Sequence, residues 1–270
     1  MFNTLLLFLS ILSCQPDYGM SYEVVEEIQP TEVVVDSFLQ PKPPEKLDVL
    51  IVVDTSCSMN DNFQQVSVGV ELLRGDIEKL TLDYKIGFIN SGMMSPYFAG
   101  PYDYNSDSID FLLAPYILGA DWYERGFQTM HAFVSTTVEG AGFFRDDADK
   151  LIIFVSDEDE QGAIPTNVFH DWLVEKFELV QHDVVAIIQL ENGECPLNWE
   201  YDVGQKYIDL VAYYGKVGID ICSDWEAWLG DSTFLVGEID YINLSQTPLE
   251  DSIVVYRNSL ETELWYYLPE

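Results

Sequence analysis

The sequence predicts an α/β fold: a doubly wound, mostly parallel β-sheet flanked by helices, with a small C-terminal β-hairpin extension. Two segments, 47–53 and 151–155, are almost continuous apolar runs, as expected for parallel strands that are covered on both faces. The segments that follow them have apolar side chains every three or four positions, which is the spacing of an amphipathic helix. Strands that alternate with helices in this way favour one sheet with helices on both sides.

The predicted elements follow one another in a regular order. The run 47–53 is the first strand, and the apolar stripe from Phe63 to Leu80 predicts the first helix. Gly, Pro, Ser and Asp are frequent in 91–120, which predicts loops around one short element. The other predicted elements are strands at 82–88, 151–155, 183–190 and 216–222, and helices at 122–138, 166–180, 203–214 and 223–236. Beyond residue 238 the apolar period becomes two, at 252–256 and 263–268, which predicts the hairpin.

The chain divides into four predicted parts. Residues 1–14 contain the short apolar run of an export signal, which is too short to span a membrane. Residues 15–46 are charged and contain many prolines, as in an extended tether. Residues 47–237 hold the sheet and its helices, and 270 residues with 48% apolar content suit one main domain. Residues 238–270 form a β-rich extension that ends on an apolar strand pattern, so we expect it to be incomplete.

The predicted export signal ends on a cysteine. Its last residues, Ile11-Leu12-Ser13-Cys14, resemble a bacterial lipobox, in which a small residue precedes a cysteine that becomes lipid-modified. The resemblance implies a lipid anchor at Cys14 and a location in the cell envelope. Gln15 favours the outer membrane, by resemblance to enterobacterial sorting rules. The alternative is an ordinary signal peptide with an incidental cysteine, because no Lys or Arg precedes the apolar run.

The chain is strongly acidic. It has 12 basic and 47 acidic side chains, which give a formal net charge of −35. A field of this sign repels phosphate backbones and anionic lipid headgroups, so nucleic acid is excluded as a partner. Most of the charge is expected to keep the protein soluble.

A polar loop follows each of the two central strands. Asp54, Ser56 and Ser58 come directly after the first strand, and Asp157 follows the strand at 151–155. Because the carboxyl ends of parallel strands meet at one edge of a sheet, we expect these four side chains to converge. They offer only oxygen, which selects Mg²⁺, or Mn²⁺ or Ca²⁺, over zinc and copper. The alternative is that Asp and Ser merely cap the following helix.

These residues resemble the metal-ion-dependent adhesion site (MIDAS) of the von Willebrand factor A (VWA) family. The family motif Asp-x-Ser-x-Ser is matched by Asp54, Ser56 and Ser58, and its later Asp by Asp157. The resemblance covers about 48–236 and implies a Rossmann-like VWA fold. It is closest to bacterial VWA lipoproteins, which carry patterns similar to the segments 53–59 and 154–159 of this chain.

The sequence departs from the family pattern at two places. Cys57 stands where Gly is common between the two serines. The family's coordinating Thr, expected near residue 121, has no evident match, and Asp121 or Glu124 is expected to supply an oxygen instead. A further carboxylate would hold the metal more tightly and would weaken its attraction for an acidic partner.

Two other groups of residues have alternative interpretations. Cys195 and Cys222 flank a segment of helical pattern, and an export signal predicts a disulfide between them; the alternative is two separate buried thiols. The acidic run 158–160 is expected to be a solvated rim rather than a second cation site.

Three functions are compatible with this reading. The favoured one is adhesion-like protein–protein interaction, in which a partner's carboxylate completes the metal's coordination and a rim of aromatic residues adds apolar contact; the rim candidates are Tyr97, Tyr102, Tyr104 and Trp122. The second is an envelope lipoprotein whose metal only stabilises the fold. The third, a metal-dependent hydrolase, is disfavoured because His131, His170 and His182 are scattered and form no catalytic motif. We therefore expect that the chain is not an enzyme.

Overall fold

The computed structural model describes residues 34–35, 44–92, 96–194, 202–229, 253–257 and 260–262. The described residues from 44 to 229 belong to one compact unit, and the last two segments belong to a second one. The predicted lipidation site, Cys14, lies outside the described residues, as does Cys195. The export signal, the lipid anchor and the disulfide therefore stay predictions.

The larger unit alternates strands and helices. Its strands are β1 (Leu47–Val53), β2 (Tyr84–Asn90), β3 (Phe98–Tyr102), β4 (Asp149–Ser156), β5 (His182–Ile188) and β6 (Ile219–Asp220). Its helices are α1 (Phe63–Leu80), α2 (Ser108–Leu113), α3 (Gly126–Thr136), α4 (Val138–Phe143), α5 (Thr166–Lys176), α6 (Gln205–Ala212) and α7 (Trp225–Leu229). The described helices lack the length and apolar character needed to cross a lipid bilayer.

The strands form one six-stranded sheet in the order β3-β2-β1-β4-β5-β6. All neighbouring pairs are parallel except β2 and β3, which are antiparallel. Helices cover both faces, so the predicted fold class is confirmed. In the second unit, β7 (Val255–Arg257) pairs with β8 (Leu260–Thr262) as an antiparallel hairpin, whereas the predicted strand 263–268 lies outside the described residues.

The core has one layer on each face of the sheet, because successive strand side chains point to opposite faces. In β1, Val49 and Ile51 join the layer that contains the buried stripe of α1, whereas Leu50 and Val52 join the layer beneath α3, α5 and α6. All seven residues of β1 are buried, as its continuous apolar pattern predicts.

The structure corrects the prediction in three places. The segment predicted as loops contains the edge strand β3, which was missed because Gly100 and Pro101 are turn-like residues; Gly100 has a φ of 123°, which glycine tolerates best. The helix predicted at 122–138 begins only at Gly126, so that 121–125 form a loop. The strand predicted at 216–222 is reduced to Ile219–Asp220.

A buried cluster of charged side chains lies at the edge of the sheet where the strands begin. The Asp48 carboxylate is fully buried and accepts hydrogen bonds from the Arg145 backbone N–H (2.6 Å) and from Arg145 Nε (2.7 Å). Lys150 Nζ lies 3.5 Å from the same carboxylate and is also buried. This cluster balances buried charges at the end of the sheet opposite to the polar loops.

Candidate metal centre

Strand register brings the predicted site together. Val53, the last residue of β1, lies opposite Asn90 of β2 and Val155 of β4. The three strands therefore end at the same level, and backbone hydrogen bonds extend the pairing by one step, from the Asp54 N–H to the Val155 carbonyl (2.8 Å). The loops after β1, β2 and β4 thus share one edge of the sheet, as predicted.

The four predicted ligands form one hydrogen-bonded group. The Ser56 N–H donates to Asp54 Oδ1 (2.8 Å), and the hydroxyls of Ser56 and Ser58 are 2.8 Å apart. Ser58 Oγ donates to Asp157 Oδ1 across the two loops (3.3 Å). Asp54 and Asp157 are both almost completely buried.

Helix capping does not account for these side chains. The loop leads into a short 3₁₀ turn, Cys57–Asp61, and neither that turn nor α1 receives a side-chain cap from the residue before it. The Ser56 hydroxyl is turned toward Ser58 and the Asp54 carboxylate toward β4. The side chains are arranged around a point outside the helix.

Ser156 is a residue of the site that the sequence did not single out. Its hydroxyl donates to Asp54 Oδ2 (2.8 Å) and accepts the Glu158 N–H (3.2 Å), and the residue is almost fully buried. It fixes the orientation of the Asp54 carboxylate from the neighbouring strand. The signal available was its position, directly before Asp157 at the end of a central strand.

The loop 121–125 contains Asp121 and Glu124, which the sequence predicted as substitutes for the family's Thr. It is pinned to the sheet edge by backbone hydrogen bonds from the Asp121 N–H to the Thr55 carbonyl (3.2 Å) and from the Arg125 N–H to the Ser91 carbonyl (3.0 Å). The Asp121 carboxylate rests on Gly92, where a Cβ would come within 2.3 Å of its Cγ. Both Asp121 and Glu124 are therefore brought to the edge that carries the site, and both are buried.

Several carboxylates repel one another in this region. Burial, followed by the charge of Asp54, raises the pKa of Asp157 to about 7. Burial, followed by the charges of Asp54 and Glu158, raises the pKa of Glu124 to about 8. Burial also raises the pKa of Asp54, in opposition to the hydrogen bonds that it accepts. Within the described part of the chain, no Lys, Arg or His forms an ion pair with these three carboxylates.

The donor set fits a hard divalent cation. Three buried oxygen atoms have no hydrogen-bond partner: Oδ2 of Asp157, Oδ2 of Asp121 and Oγ1 of Thr55. Buried oxygens without a partner are costly unless a cation or water satisfies them. The described residues include no group of three His, Cys, Asp or Glu side chains placed to hold a metal. The candidate set combines two carboxylates, of Asp54 and Asp157, with the hydroxyls of Ser56 and Ser58.

Cys57 does not obstruct the oxygen site. It is the first residue of the 3₁₀ turn, and it is exposed and has a free thiol. The Gly-to-Cys departure from the family pattern is accommodated because the side chain is directed to solvent, while Ser56 and Ser58 on either side remain within hydrogen-bonding distance of each other.

The sequence predicted that the acidic run 158–160 after β4 is a solvated rim. This prediction is wrong for Glu160. Glu160 is buried, and its carboxylate accepts hydrogen bonds from the backbone N–H groups of Phe127 and Gly162 (2.8 Å each) and from the Tyr207 hydroxyl (3.2 Å). The physical reason is that the first N–H groups of α3 have no partner within the helix and attract an anion. Burial nevertheless raises the pKa of Glu160 to about 7.

The histidines pack on aromatic rings, and His170 and His182 both contact the ring of Tyr214, with centroids 5.7 Å and 5.6 Å away. His131 contacts Trp172, His170 stacks on Tyr213 with ring centroids 4.2 Å apart, and His182 stands at the beginning of β5. Of the rim candidates, Tyr97, Tyr104 and Trp122 are exposed, Trp122 to 80%. Tyr102 is instead half-buried against core rings.

Comparisons with known proteins bear on the fold of the chain. No protein-family model and no curated protein matches the chain. Among solved structures, proximal thread matrix protein 1 (PTMP1) from the mussel byssus, in its crystal form 2, is 16% identical with a TM-score of 0.51, over 73% of this chain and 48% of its own. A PTMP1 structure with a zinc-occupied MIDAS motif is 13% identical with a TM-score of 0.51, over 70% and 46%.

The fold is that of a von Willebrand factor A domain. A von Willebrand factor type A structure from Catenulispora acidiphila also matches, with 14% identity and a TM-score of 0.45, over 70% of this chain and 42% of its own. This chain spans just under half of the length of the PTMP1 chains. The predicted VWA fold is thus confirmed, whereas the closer similarity to VWA lipoproteins stays a prediction.

Proposed function

We propose that this VWA-fold protein binds a divalent cation at Asp54, Ser56, Ser58 and Asp157 and uses it to bind another protein. In this proposal the cation keeps one coordination position open, and a carboxylate of the partner completes it. The protein is exported and anchored in the cell envelope, preferably the outer membrane, through a lipid on Cys14. It acts as a binding protein and not as an enzyme.

The observation that carries the metal site is the set of buried oxygens. Asp54 and Asp157 are buried side by side, their described surroundings contain no basic partner, and one oxygen of Asp157 has no hydrogen-bond partner. A bound cation would offset both the cost of burying two unpaired charges and the cost of leaving a buried oxygen without a partner. All donors are oxygen, which favours Mg²⁺, Mn²⁺ or Ca²⁺, although zinc in the MIDAS motif of PTMP1 makes zinc a necessary comparison.

The partner-binding role rests on the surroundings of the site. Trp122 follows Asp121 directly and is 80% exposed, so a large apolar side chain stands beside the polar centre. A partner could therefore combine one carboxylate at the cation with an apolar contact at the rim, which is the usual composition of an interface hot spot.

A second function has its own support. The carboxylates of Asp54, Glu124 and Asp157 are buried without a basic partner among the described residues, so a cation would stabilise the fold whether or not a partner binds. The metal would then be structural. The two functions differ in whether a ligand from outside the chain reaches the cation.

Metal binding is tested by calorimetric titration with Mg²⁺, Mn²⁺, Ca²⁺ and Zn²⁺. We expect binding by the wild type and by Asp146→Asn, an exposed control that changes the same charge, and loss of binding in Asp54→Asn. Equal binding by all three proteins would show that the cation lies elsewhere.

Partner binding is tested by a pull-down from envelope extracts, with and without a chelator. A protein that is captured only with the metal, and only by chains that keep Asp54, supports the first function. Metal-raised thermal stability without any such protein supports the structural one. Labelling with a radioactive fatty acid, lost in Cys14→Ser, tests the anchor.

A further inference from the structure

The helix α2 and the 3₁₀ turn that continues it, Ala114–Ile117, have apolar side chains on two faces. On the inner face, Phe111, Ala114 and Leu118 are completely buried in the core. The outer face is exposed, from 49% at Leu113 to 60% at Ile117. Its side chains follow one another at i, i+4, i+7 and i+8, which is the spacing of one helical face. We name this set the apolar stripe; it consists of Ile109, Leu113, Tyr116 and Ile117.

The apolar stripe is unusual for the outside of a domain. A helix that packs on a core normally turns a polar face to the solvent. Single exposed apolar side chains are ordinary, whereas several on one continuous face are typical of an interaction surface. At 1.5–2.0 Å per residue the stripe is roughly 12–14 Å long, which corresponds to about two turns of a helix laid against it.

The stripe stands on a fixed support. The Ser67 hydroxyl of α1 donates to the Leu112 carbonyl (2.8 Å), so the backbone of α2 is bonded to its neighbour. The ring of Tyr116 meets the ring of Phe63 edge-on, with centroids 5.7 Å apart. A surface that is already ordered loses little conformational freedom when a partner binds, which favours its affinity.

The charge at the beginning of the stripe is negative. Asp107 and Asp110 are exposed there, and neither forms an ion pair among the described residues. No Lys, Arg or His occurs in 86–124 of the sequence. Arg74 of α1, whose guanidinium lies over the Phe111 ring, pairs instead with two glutamates of its own helix. The stripe is therefore apolar with an acidic edge.

We propose that the apolar stripe binds an amphipathic helix of another protein, whose apolar face is flanked by Lys or Arg. The apolar side chains of such a helix fit the stripe, and its basic side chains fit Asp107 and Asp110. A second copy of this chain fits less well, because a two-fold contact would set the same aspartates of both copies against each other. This surface goes beyond the proposed metal centre, since binding to it requires no cation.

The test uses a synthetic probe of this chemistry. It is a peptide of about 18 Leu and Lys residues arranged as an amphipathic helix, and a peptide with Glu in place of Lys is its charge control. Both are titrated calorimetrically in excess MgCl₂ and again in EDTA. The variants are Leu113→Ser and Asp110→Asn. Their matched controls are Leu179→Ser, at an 83% exposed leucine after α5, and Asp146→Asn, at an exposed aspartate.

We expect the variants of the stripe to differ from their controls. Leu113→Ser should weaken binding of the Lys peptide about tenfold or more, because it removes an apolar anchor. Asp110→Asn should weaken it about two- to fivefold, because an exposed ion pair contributes little. Both controls should bind like the wild type, with and without MgCl₂, and the Glu peptide should not bind. Hydrogen exchange in the complex should slow within 108–117.

Four results would overturn the inference. Absence of saturable binding, or equal weakening by Leu113→Ser and Leu179→Ser, would mean that the peptide meets only a general acidic surface. Loss of binding in EDTA would place the peptide at the cation. A wild-type dimer in sedimentation velocity that Leu113→Ser dissociates would assign the stripe to a second copy. The metal titrations that test the proposed function are independent of all four.

Discussion

Replacing Asp157 by Asn should affect the protein in opposite ways with and without the cation. Asp157 is completely buried, and its Oδ2 has no hydrogen-bond partner. The Asn side chain has the same shape and no charge. In the presence of a chelator at pH 8, Asp157→Asn should therefore be more stable than the wild type, by on the order of 1–3 kcal/mol, because a buried uncompensated charge is removed.

In the presence of the cation, the wild type should gain stability that Asp157→Asn does not gain. A ligand at about 100 times its dissociation constant stabilises the folded state by about 2.7 kcal/mol. For a unit of this size that corresponds to a rise in melting temperature of roughly 5–10 °C. The wild type should show this rise on addition of Mg²⁺, and Asp157→Asn should show little of it.

Thermal unfolding followed by circular dichroism, with EDTA and then with excess MgCl₂, measures both effects. Asp146→Asn is the matched control, since that side chain is exposed and the charge change is the same. Two results would refute the reasoning. An undiminished response of Asp157→Asn to Mg²⁺ would place the cation elsewhere, and a variant less stable than the wild type in EDTA would mean that the buried charge is already compensated.

Three further predictions, tested with four substitutions, concern other parts of the structure. Ser156→Ala removes the hydrogen bond to Asp54 Oδ2 and should weaken Mn²⁺ binding about 10- to 100-fold in a calorimetric titration. Asp48→Ala leaves Arg145 and the buried Lys150 without their carboxylate and should cost about 3–5 kcal/mol in urea unfolding; Asp147→Ala, which breaks an exposed pair with Lys46, should change the stability far less. The pKa of Glu160 is raised from an ordinary 4.5 to about 7, so the folded state binds the extra proton, and the contribution of Glu160 to stability should be complete below pH 4.5 and decrease by about 3 kcal/mol as the pH rises through 7. Glu160→Gln should lose this part of the pH dependence of thermal unfolding, and an unchanged profile would contradict the assignment.

The parts of the fold that the sequence predicted are those with strong periodic patterns. The continuous apolar runs of β1 and β4 identify strands covered on both faces, and the apolar stripe of α1 keeps its helical spacing over 18 residues. The edge strand β3 was not predictable from its own residues, because its pairing with β2 outweighs the turn-like character of Gly100 and Pro101. Such pairing depends on tertiary context, which local propensity does not contain.

The residues of the candidate site also fall into those that the sequence predicted and those that it did not. Asp54, Ser56, Ser58 and Asp157 were predictable because they follow strands whose ends must meet at one edge. Ser156 belongs to the site only because its hydroxyl faces the neighbouring strand, and the burial of Glu160 depends on where α3 begins. Both facts require the positions of elements distant in sequence.

The overall charge of the chain and the local charge of the centre have different consequences. A net charge of −35 is spread over the whole sequence and is screened by salt within about 10 Å. The buried carboxylates of Asp54, Glu124 and Asp157 are screened much less, so in the proposed function it is they, and not the acidic surface, that select the position of the cation. In the proposed function, the Asp-x-Ser-x-Ser loop and Asp157 together hold the cation where buried carboxylates lack a basic partner among the described residues.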